Sequence, residues 1–128
     1  METHTLDAST EPLGRLATKA AVLLMGKHRA DFARHKKQAV RVIVTESDRL
    51  IFTGRKWDKK LYRRHSGYIG HLREFSAKEM RERDSRRIVR QAVLGMLPKN
   101  KLRSALDKKL VIYKGKAPNQ DAFFKRRF

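Results

Sequence analysis

The sequence contains no cysteine, and its apolar residues form no long uninterrupted run. Without cysteine the chain has no disulfide bond, no cysteine nucleophile and no thiolate metal ligand, which is typical of a reducing compartment. No apolar run reaches the roughly 18 residues that a membrane-spanning helix needs. The first ten residues, METHTLDAST, also lack the basic start and apolar centre of a secretory signal. The sequence therefore predicts a protein without disulfides or membrane spans.

Acidic residues are scarce relative to basic ones. Lysine and arginine number 32 and aspartate and glutamate 13, so the net charge is +19 in a chain of 128 residues. A compact domain repels itself at that charge and is usually neutralised by a polyanion, most often nucleic acid. An anionic membrane surface is the alternative, but no basic amphipathic helix with an aromatic apolar face stands out. Because 40% of the residues are hydrophobic, we expect one folded domain that binds nucleic acid.

The stretch at 91–103, QAVLGMLPKNKLR, joins an apolar pattern to a basic one. Apolar residues at 88, 89, 92, 93, 96 and 97 form one stripe at helical spacing. Pro98 ends this helix because proline has no N–H group to donate. Lys99, Asn100 and Lys101 follow directly. The simpler interpretation is a solvated turn between two helices, but the net charge favours a fixed cationic loop that binds a polyanion.

Strand and helix patterns alternate along the chain. We predict strands at 3–8, 40–45, 50–53 and 110–113, with a local hairpin at 40–53. Helices are predicted at 13–25, from 77 to about 84, at 85–97 and at 102–107. Gly26 should end the first helix in a left-handed conformation, and Ser76 with Glu79 forms a capping box for the second. The alternation predicts a single α/β domain at 1–115, followed by a basic, aromatic tail at 116–128.

The segment at 55–70 combines basic and aromatic residues with two glycines. We predict that it is an extended loop in which arginine and lysine contact phosphate and aromatic rings stack on unpaired bases. The stacking candidates are Trp57, Tyr62 and Tyr68. Gly67 and Gly70 form a G-x-x-G pattern, which lets a backbone approach phosphate closely and occurs in KH modules, although it often arises by chance. A solvated basic loop with Trp57 and Tyr62 in the core is the alternative.

Histidines and acidic residues do not indicate a catalytic or metal site. His65 and His71 lie six residues apart without a third ligand at a useful spacing, whereas zinc requires converging donors. The acidic residues are scattered and form no pair suited to acid–base catalysis. We therefore predict no metal site, no cofactor, no small-molecule substrate and no catalytic residue.

Several longer segments, in this order, resemble those of one known family. They are PLGRLATKAA at 12–21, GKH at 26–28, VIVTESDRLIFTG at 42–54, HSGYIG at 65–70, VLGMLPKNKLR at 93–103 and LVIYKG at 110–115. Together they resemble ribosomal protein thirteen of the large subunit, in its bacterial or organellar form. The resemblance implies a single three-layer α/β/α domain around a small, mainly parallel sheet. It also implies a structural protein of cytoplasmic or organellar ribosomes, without catalysis, that binds large-subunit RNA early in assembly beside neighbouring ribosomal proteins.

Three basic segments, at 27–38, 55–70 and 99–103, are the expected RNA contacts. Each should contact phosphates and release their counterions. The candidate RNA-binding residues are Lys27, His28, Arg34, Lys36, Lys37, Arg55, Lys56, Lys59, Lys60, Arg63, Arg64, His65, Ser66, Gly67, Tyr68, Gly70, Lys99, Asn100, Lys101 and Arg103. Two other functions stay open on the residues alone. One is a free RNA-binding regulator that holds single strands through the G-x-x-G, and the other is an RNA-modifying or nucleotide-using enzyme.

Overall fold

The computed structural model describes residues 1–118, so the part of the predicted tail at 119–128 lies outside the described residues. The strands are β1 (Glu2–Asp7), β2 (Val40–Thr45), β3 (Leu61–His65), β4 (Leu72–Ser76) and β5 (Leu110–Ile112). The helices are α1 (Leu13–Met25), α2 (Lys56–Lys59), α3 (Ala77–Met96) and α4 (Leu102–Asp107), and a 3₁₀ turn lies at Ser47–Arg49. The elements at 13–25, 40–45 and 102–107 have the bounds that the sequence predicts.

β1, β2 and β5 form a parallel sheet with β2 at its centre. Successive side chains of a strand point to opposite faces, so Val42 and Val44 share one face of β2 and Ile43 lies on the other. Val42 and Val44 are fully buried in the hydrophobic cluster that also contains residues of α1 and α3. β3 and β4 form a separate antiparallel hairpin. These features confirm a single α/β domain with a small, mainly parallel sheet.

The order of the strands explains which face of the sheet the helices cover. The chain steps in the same direction from β1 to β2 and from β2 to β5. Crossovers between parallel strands are nearly always right-handed, so two steps in one direction place their helices on the same face. α1 and α3 accordingly pack against each other. α1, α3 and α4 each contribute buried residues to the cluster that contains Val42 and Val44.

The second half of α3 supplies the centre of the core. Ile88, Val89 and Val93 are fully buried and belong to the same cluster as the apolar faces of α1 and β2. This confirms the apolar stripe that was predicted from the helical spacing. Met96, by contrast, is 43% exposed, so the stripe is narrower than predicted. Burial of side chains of this size stabilises the folded state by about 1.5–3 kcal/mol each.

α3 consists of two helical segments that meet at Asp84. The backbone of Asp84 is extended, with φ −162° and ψ 100°, and its Oδ1 accepts a hydrogen bond from the N–H of Arg86 at 3.2 Å. The first segment begins with the predicted capping box. The N–H of Glu79 donates to Ser76 Oγ at 3.2 Å, and the N–H of Ser76 donates to Glu79 Oε2 at 3.3 Å. The prediction of two successive helices, starting at 77 and 85, is confirmed.

Residues 50–53 do not form the predicted strand, and the predicted local hairpin at 40–53 is wrong. The 3₁₀ turn at Ser47–Arg49 directs the chain away from β2. Ile51 makes only an isolated parallel bridge to Pro12, and within LIFT only Leu50 is buried. The half-buried Phe52 packs its ring on Trp57, so this segment contacts the core through side chains and not through pairing with β2.

Residues 55–70 are not the extended loop that was predicted. They contain α2, β3 and the turn of the β3–β4 hairpin. Arg63 pairs across the hairpin with Glu74, and their side chains form an ion pair of 2.7 Å. Only Tyr62 of β3 is buried, so the strand carries no apolar alternation that sequence reading can detect. One oppositely charged cross-strand pair, Arg63 with Glu74, and one aromatic anchor, Tyr62, hold this hairpin instead.

Replacement of Val93 by aspartate should destabilise the domain, because it places an unpaired carboxylate in the core. We expect the free energy of unfolding in a denaturant melt to fall by about 3 kcal/mol or more. Gln91→Asp, at an exposed position of the same helix, is the control and should change it by less than about 0.5 kcal/mol. A loss below about 1 kcal/mol for Val93→Asp would contradict this description of the core.

Two glycine-to-alanine variants should have opposite effects on stability. Gly26 ends α1 with φ +76°, as predicted, and a Cβ there would collide with the buried side chain of Gln38. The left-handed conformation alone costs other residues about 1–2 kcal/mol, so Gly26→Ala should lower the free energy of unfolding by at least that much. A Cβ at Gly95, inside α3, meets open space. Gly95→Ala should therefore stabilise the domain by about 0.5–1 kcal/mol. Equal effects in the same melts would show that the end of α1 imposes no special backbone requirement.

Candidate nucleic-acid interface

The predicted RNA-binding residues all lie at the surface. Each is exposed except Arg103, which is half-buried. Sequence reasoning treated the three basic segments as separate, whereas the fold brings them together around three grooves. The loop between α3 and α4 (residues 97–101, the α3–α4 loop) contributes to two of these grooves.

The largest groove, the main groove, has a volume of about 1440 Å³ and is lined by α2, β3, α3, the α3–α4 loop and the start of α4. Within the described chain none of its lining residues is acidic. Nine are basic: Arg55, Lys56, Lys59, Lys60, Arg64, Arg87, Arg90, Lys99 and Arg103. A cleft lined by charges of one sign concentrates the field and attracts ions of the opposite sign. The main groove is therefore suited to a polyanion and offers no carboxylate for acid–base catalysis.

Sequence reasoning missed the contribution of α3 to the main groove. Arg87, Arg90 and Gln91 line it beside the predicted loop residues. Their spacing places them on one helical face, next to the buried stripe, and this spacing was visible in the sequence. Arg90 is held by hydrogen bonds from its guanidinium to the carboxylate of Asp107. That bonding outweighs the opposing effect of burial and raises the pKa of Arg90.

A second groove, the hairpin groove, lies between the β3–β4 hairpin and α3 and has a volume of about 750 Å³. It shares Tyr62, Arg64, Arg87 and Gln91 with the main groove, so the two form a continuous surface. Its other polar and basic lining residues are Arg63, His65, Ser66, His71, Arg73 and Arg83. The ion pair between Arg63 and Glu74 partly neutralises the charge of Arg63, and Arg64 is consequently the stronger candidate for a phosphate contact.

A third groove, the connection groove, lies between the α1–β2 connection (residues 26–39) and the α3–α4 loop, with a volume of about 550 Å³. Its polar lining residues are Lys27, Arg34, Lys36, Lys37 and Asn100. Lys36 Nζ lies 2.9 Å from Asp31 Oδ2, and Arg29 Nε lies 3.0 Å from Asp31 Oδ1. Hydrogen bonds from Lys36 and Arg29 lower the pKa of Asp31 to about 2. Lys36 is thus engaged within the chain, and Lys27, Arg34 and Lys37 are the remaining cations of this groove.

Only one of the three predicted stacking residues, Tyr68, keeps most of its ring exposed, although this ring packs edge-to-face on His71 with the centroids 5.1 Å apart. Tyr62 is 6% exposed, and burial raises the pKa of its hydroxyl, so the prediction that it stacks on bases is wrong. Trp57 packs edge-to-face on Phe52, with ring centroids 4.5 Å apart, and the Arg81 guanidinium lies 5.1 Å from the Trp57 centroid. Tyr68, at the tip of the β3–β4 hairpin, is 72% exposed. Tyr68 is therefore the stacking candidate that the structure supports.

The G-x-x-G glycines form the turn of this hairpin. Gly67 and Gly70 have φ angles of +89° and +76°, which residues with a Cβ rarely adopt. A Cβ at either position would meet nothing within 4 Å, so the tip is open to an approaching backbone or phosphate. The neighbouring Ile69 is 93% exposed. The glycines thus serve the turn geometry and leave the tip accessible.

His28 differs from the other predicted residues because it contacts the chain's own first strand. Its Nε2 lies 3.3 Å from Glu2 Oε1, and its ring packs edge-to-face on His4. Lys101 lines none of the three grooves, whereas its neighbours Lys99 and Asn100 line the main groove and the connection groove.

Among the described residues no helix is both long and apolar enough to cross a membrane.

Comparison with known proteins agrees with the basic grooves. The family model described as ribosomal protein L13 matches residues 1–119. The chain is 44% identical over 116 residues to large ribosomal subunit protein uL13 of Desulfotalea psychrophila, which covers 91% of this chain and 82% of the relative. It is 46% identical over 110 residues to uL13 of Syntrophobacter fumaroxidans, covering 86% of this chain and 78% of the relative.

A third relative, uL13 of Mycobacterium avium, is 46% identical over 112 residues, covering 88% of this chain and 76% of the relative. The matches extend across the helices, the sheet and the basic grooves. They confirm the resemblance drawn from the sequence segments. The chain therefore belongs to the ribosomal protein L13 family.

Proposed function

We propose that this structural protein of the large ribosomal subunit binds the large-subunit RNA through its three adjoining grooves and helps the subunit to assemble early. Membership of the L13 family supports a ribosomal constituent rather than an enzyme. Because the similar relatives are bacterial, the ribosome concerned is the cytoplasmic ribosome of a bacterium. Neighbouring large-subunit proteins are further partners that family membership supports.

The single observation that carries this proposal is the composition of the main groove. Nine basic side chains line it without an acidic one among the described lining residues. In the free protein these cations, except Arg90, which is paired with Asp107, repel one another and must be screened by counterions. RNA phosphates replace those counterions, and release of the counterions supplies a large part of the binding free energy.

The shape of the α3–α4 loop favours binding of folded RNA. Asn100 Oδ1 accepts a hydrogen bond from the N–H of Leu102 at 3.0 Å, and the N–H of Asn100 donates to the carbonyl of Pro98 at 3.0 Å. The loop is therefore ordered before RNA binds, which lowers the entropic cost of association. Lys99 on one side and Asn100 on the other face different grooves. An RNA that fills both grooves must present phosphates from more than one segment.

The G-x-x-G hairpin also bears on the alternative of a free single-strand-binding regulator. Such a regulator would rely on one groove beside Gly67 and Gly70. Here the basic residues are divided between the continuous main and hairpin grooves and the separate connection groove, and the hairpin groove holds only part of them. This distribution and the family membership favour folded ribosomal RNA over a single strand.

Charge reversal on both sides of the main groove should weaken binding more than the same change elsewhere. Lys59→Glu with Lys99→Glu removes two groove cations, whereas Arg15→Glu with Lys78→Glu changes the net charge equally at exposed positions outside the three grooves. In a salt titration of binding to a folded large-subunit RNA fragment, the groove variant should flatten the log–log slope by about two. The control variant should change it far less.

The same titration with an unstructured RNA of equal length tests the preference for folded RNA. The parent should prefer the folded fragment at physiological salt, and the groove variant should lose most of that preference. If both double variants behave alike, binding depends on net charge and not on the groove. Equal affinity of the parent for the two RNAs would contradict the proposed function.

Tyr68 should contribute to RNA binding without contributing to stability. Its ring is 72% exposed, and stacking of an aromatic ring on a base contributes about 1–3 kcal/mol. Tyr68→Ala should weaken binding to the folded fragment about tenfold, whereas Tyr68→Phe should keep most of the affinity. Ile69→Ala is the matched control at the same tip. An unchanged affinity in Tyr68→Ala would exclude stacking by this residue.

A further inference from the structure

Glu2, His4 and His28 meet at one end of β1, outside the three grooves. Glu2 and His4 are two residues apart on a strand, so their side chains share a face of β1. The left-handed Gly26 turns the chain at the end of α1 and returns His28 to the same place. We propose that these three side chains form a site for a zinc ion, with the fourth position open to water.

The distances between the donor atoms support this site. Glu2 Oε1 lies 2.7 Å from His4 Nε2 and 3.3 Å from His28 Nε2, and all three donor atoms lie within 4.8 Å of one another. Zinc binds such donors tetrahedrally at about 2.0–2.2 Å, which separates neighbouring donors by roughly 3.3 Å. Small side-chain rotations therefore suffice to bring the three atoms around one ion.

His4 supplies an independent observation that points into the cluster. Its Nε2 is buried, and within the described chain it has no hydrogen-bond partner. The Glu2 carboxylate nevertheless lies 2.7 Å away, within ion-pair distance, so this nitrogen is turned toward the other donor atoms of the cluster. Coordination of a metal would give the buried ring nitrogen and the carboxylate one shared partner.

The backbone around the cluster is fixed by the fold. The N–H of Glu2 donates to the carbonyl of Ala39 at 2.9 Å, and the N–H of Lys27 donates to the carbonyl of Val22 at 3.1 Å. Arg29 Nη1 lies 3.3 Å from Glu2 Oε2, which orients the carboxylate and leaves Oε1 toward the histidines. Asp31 in turn binds Arg29 and reduces the repulsion between this guanidinium and a bound cation. Such supporting contacts are typical of metal sites.

The donor set selects the class of metal. Two imidazoles and one carboxylate suit zinc and other first-row transition metals, whereas magnesium and calcium prefer oxygen donors. With three protein ligands the site resembles open zinc sites rather than closed structural ones. An ion bound here would link β1 to the α1–β2 connection, whose next residues line the connection groove.

The test uses the untagged full-length chain without RNA, with cobalt as a spectroscopic probe and zinc as its competitor. We expect one equivalent of cobalt to give the visible absorption of a tetrahedral site, and zinc to displace it. His28→Ala and Glu2→Gln should weaken binding about tenfold or more, and zinc should raise the melting temperature of the parent but not of these variants. His65→Ala with His71→Ala, which removes two exposed histidines elsewhere, is the matched control and should bind like the parent.

Three results would overturn the site. They are the absence of cobalt absorption in the parent, unchanged affinity in both His28→Ala and Glu2→Gln, or loss of binding only in the His65/His71 variant. Glu2 is exposed, so Glu2→Gln keeps the test informative even if a histidine variant unfolds. Because no RNA is present, failure of the metal site leaves the proposed RNA-binding function untouched.

Discussion

Burial of one face of α3 against α1, within the hydrophobic cluster that also contains Val42 and Val44 of β2, is the interaction on which the remaining structure depends. Ile88, Val89 and Val93 are fully buried there, while Arg87 and Arg90 extend from the same helix into the main groove. A domain with a net charge of +19 must hold its cations together against their mutual repulsion. The apolar contacts of α3 provide that restraint. Arg87 and Arg90 could move away from the other cations of the main groove only if the helix left the core.

The α3–α4 loop converts this restraint into a binding surface. Pro98 ends the helix at the edge of the core, and the following residues place Lys99 in the main groove and Asn100 in the connection groove. Hydrogen bonds within the loop fix it before a ligand binds. The same few residues thus determine where one basic groove ends and the next begins, which explains why a short stretch organises most of the candidate interface.

The sequence predicts those features of the fold that depend on local pattern. The stripe of α3, the left-handed Gly26 and the capping box at Ser76 follow from spacing and residue type, and all three are confirmed. The β3–β4 hairpin was missed because a single buried residue, Tyr62, gives no alternating apolar pattern. The meeting of the α3–α4 loop with two other basic segments, and of His28 with β1, depends on tertiary packing. No spacing along the chain encodes either arrangement.

The central claim is that the grooves on either side of the α3–α4 loop contact ribosomal RNA in the assembled subunit. Site-specific photocrosslinking tests it most directly, with a photoreactive side chain at Lys59 in the main groove, at Arg34 in the connection groove, or at the exposed Arg15 outside both. The account predicts that the Lys59 and Arg34 probes in purified large subunits crosslink to separate segments of large-subunit RNA, and that the Arg15 probe does so far less. Crosslinks to RNA that are equally frequent from all three positions, or absent from both grooves, would contradict it.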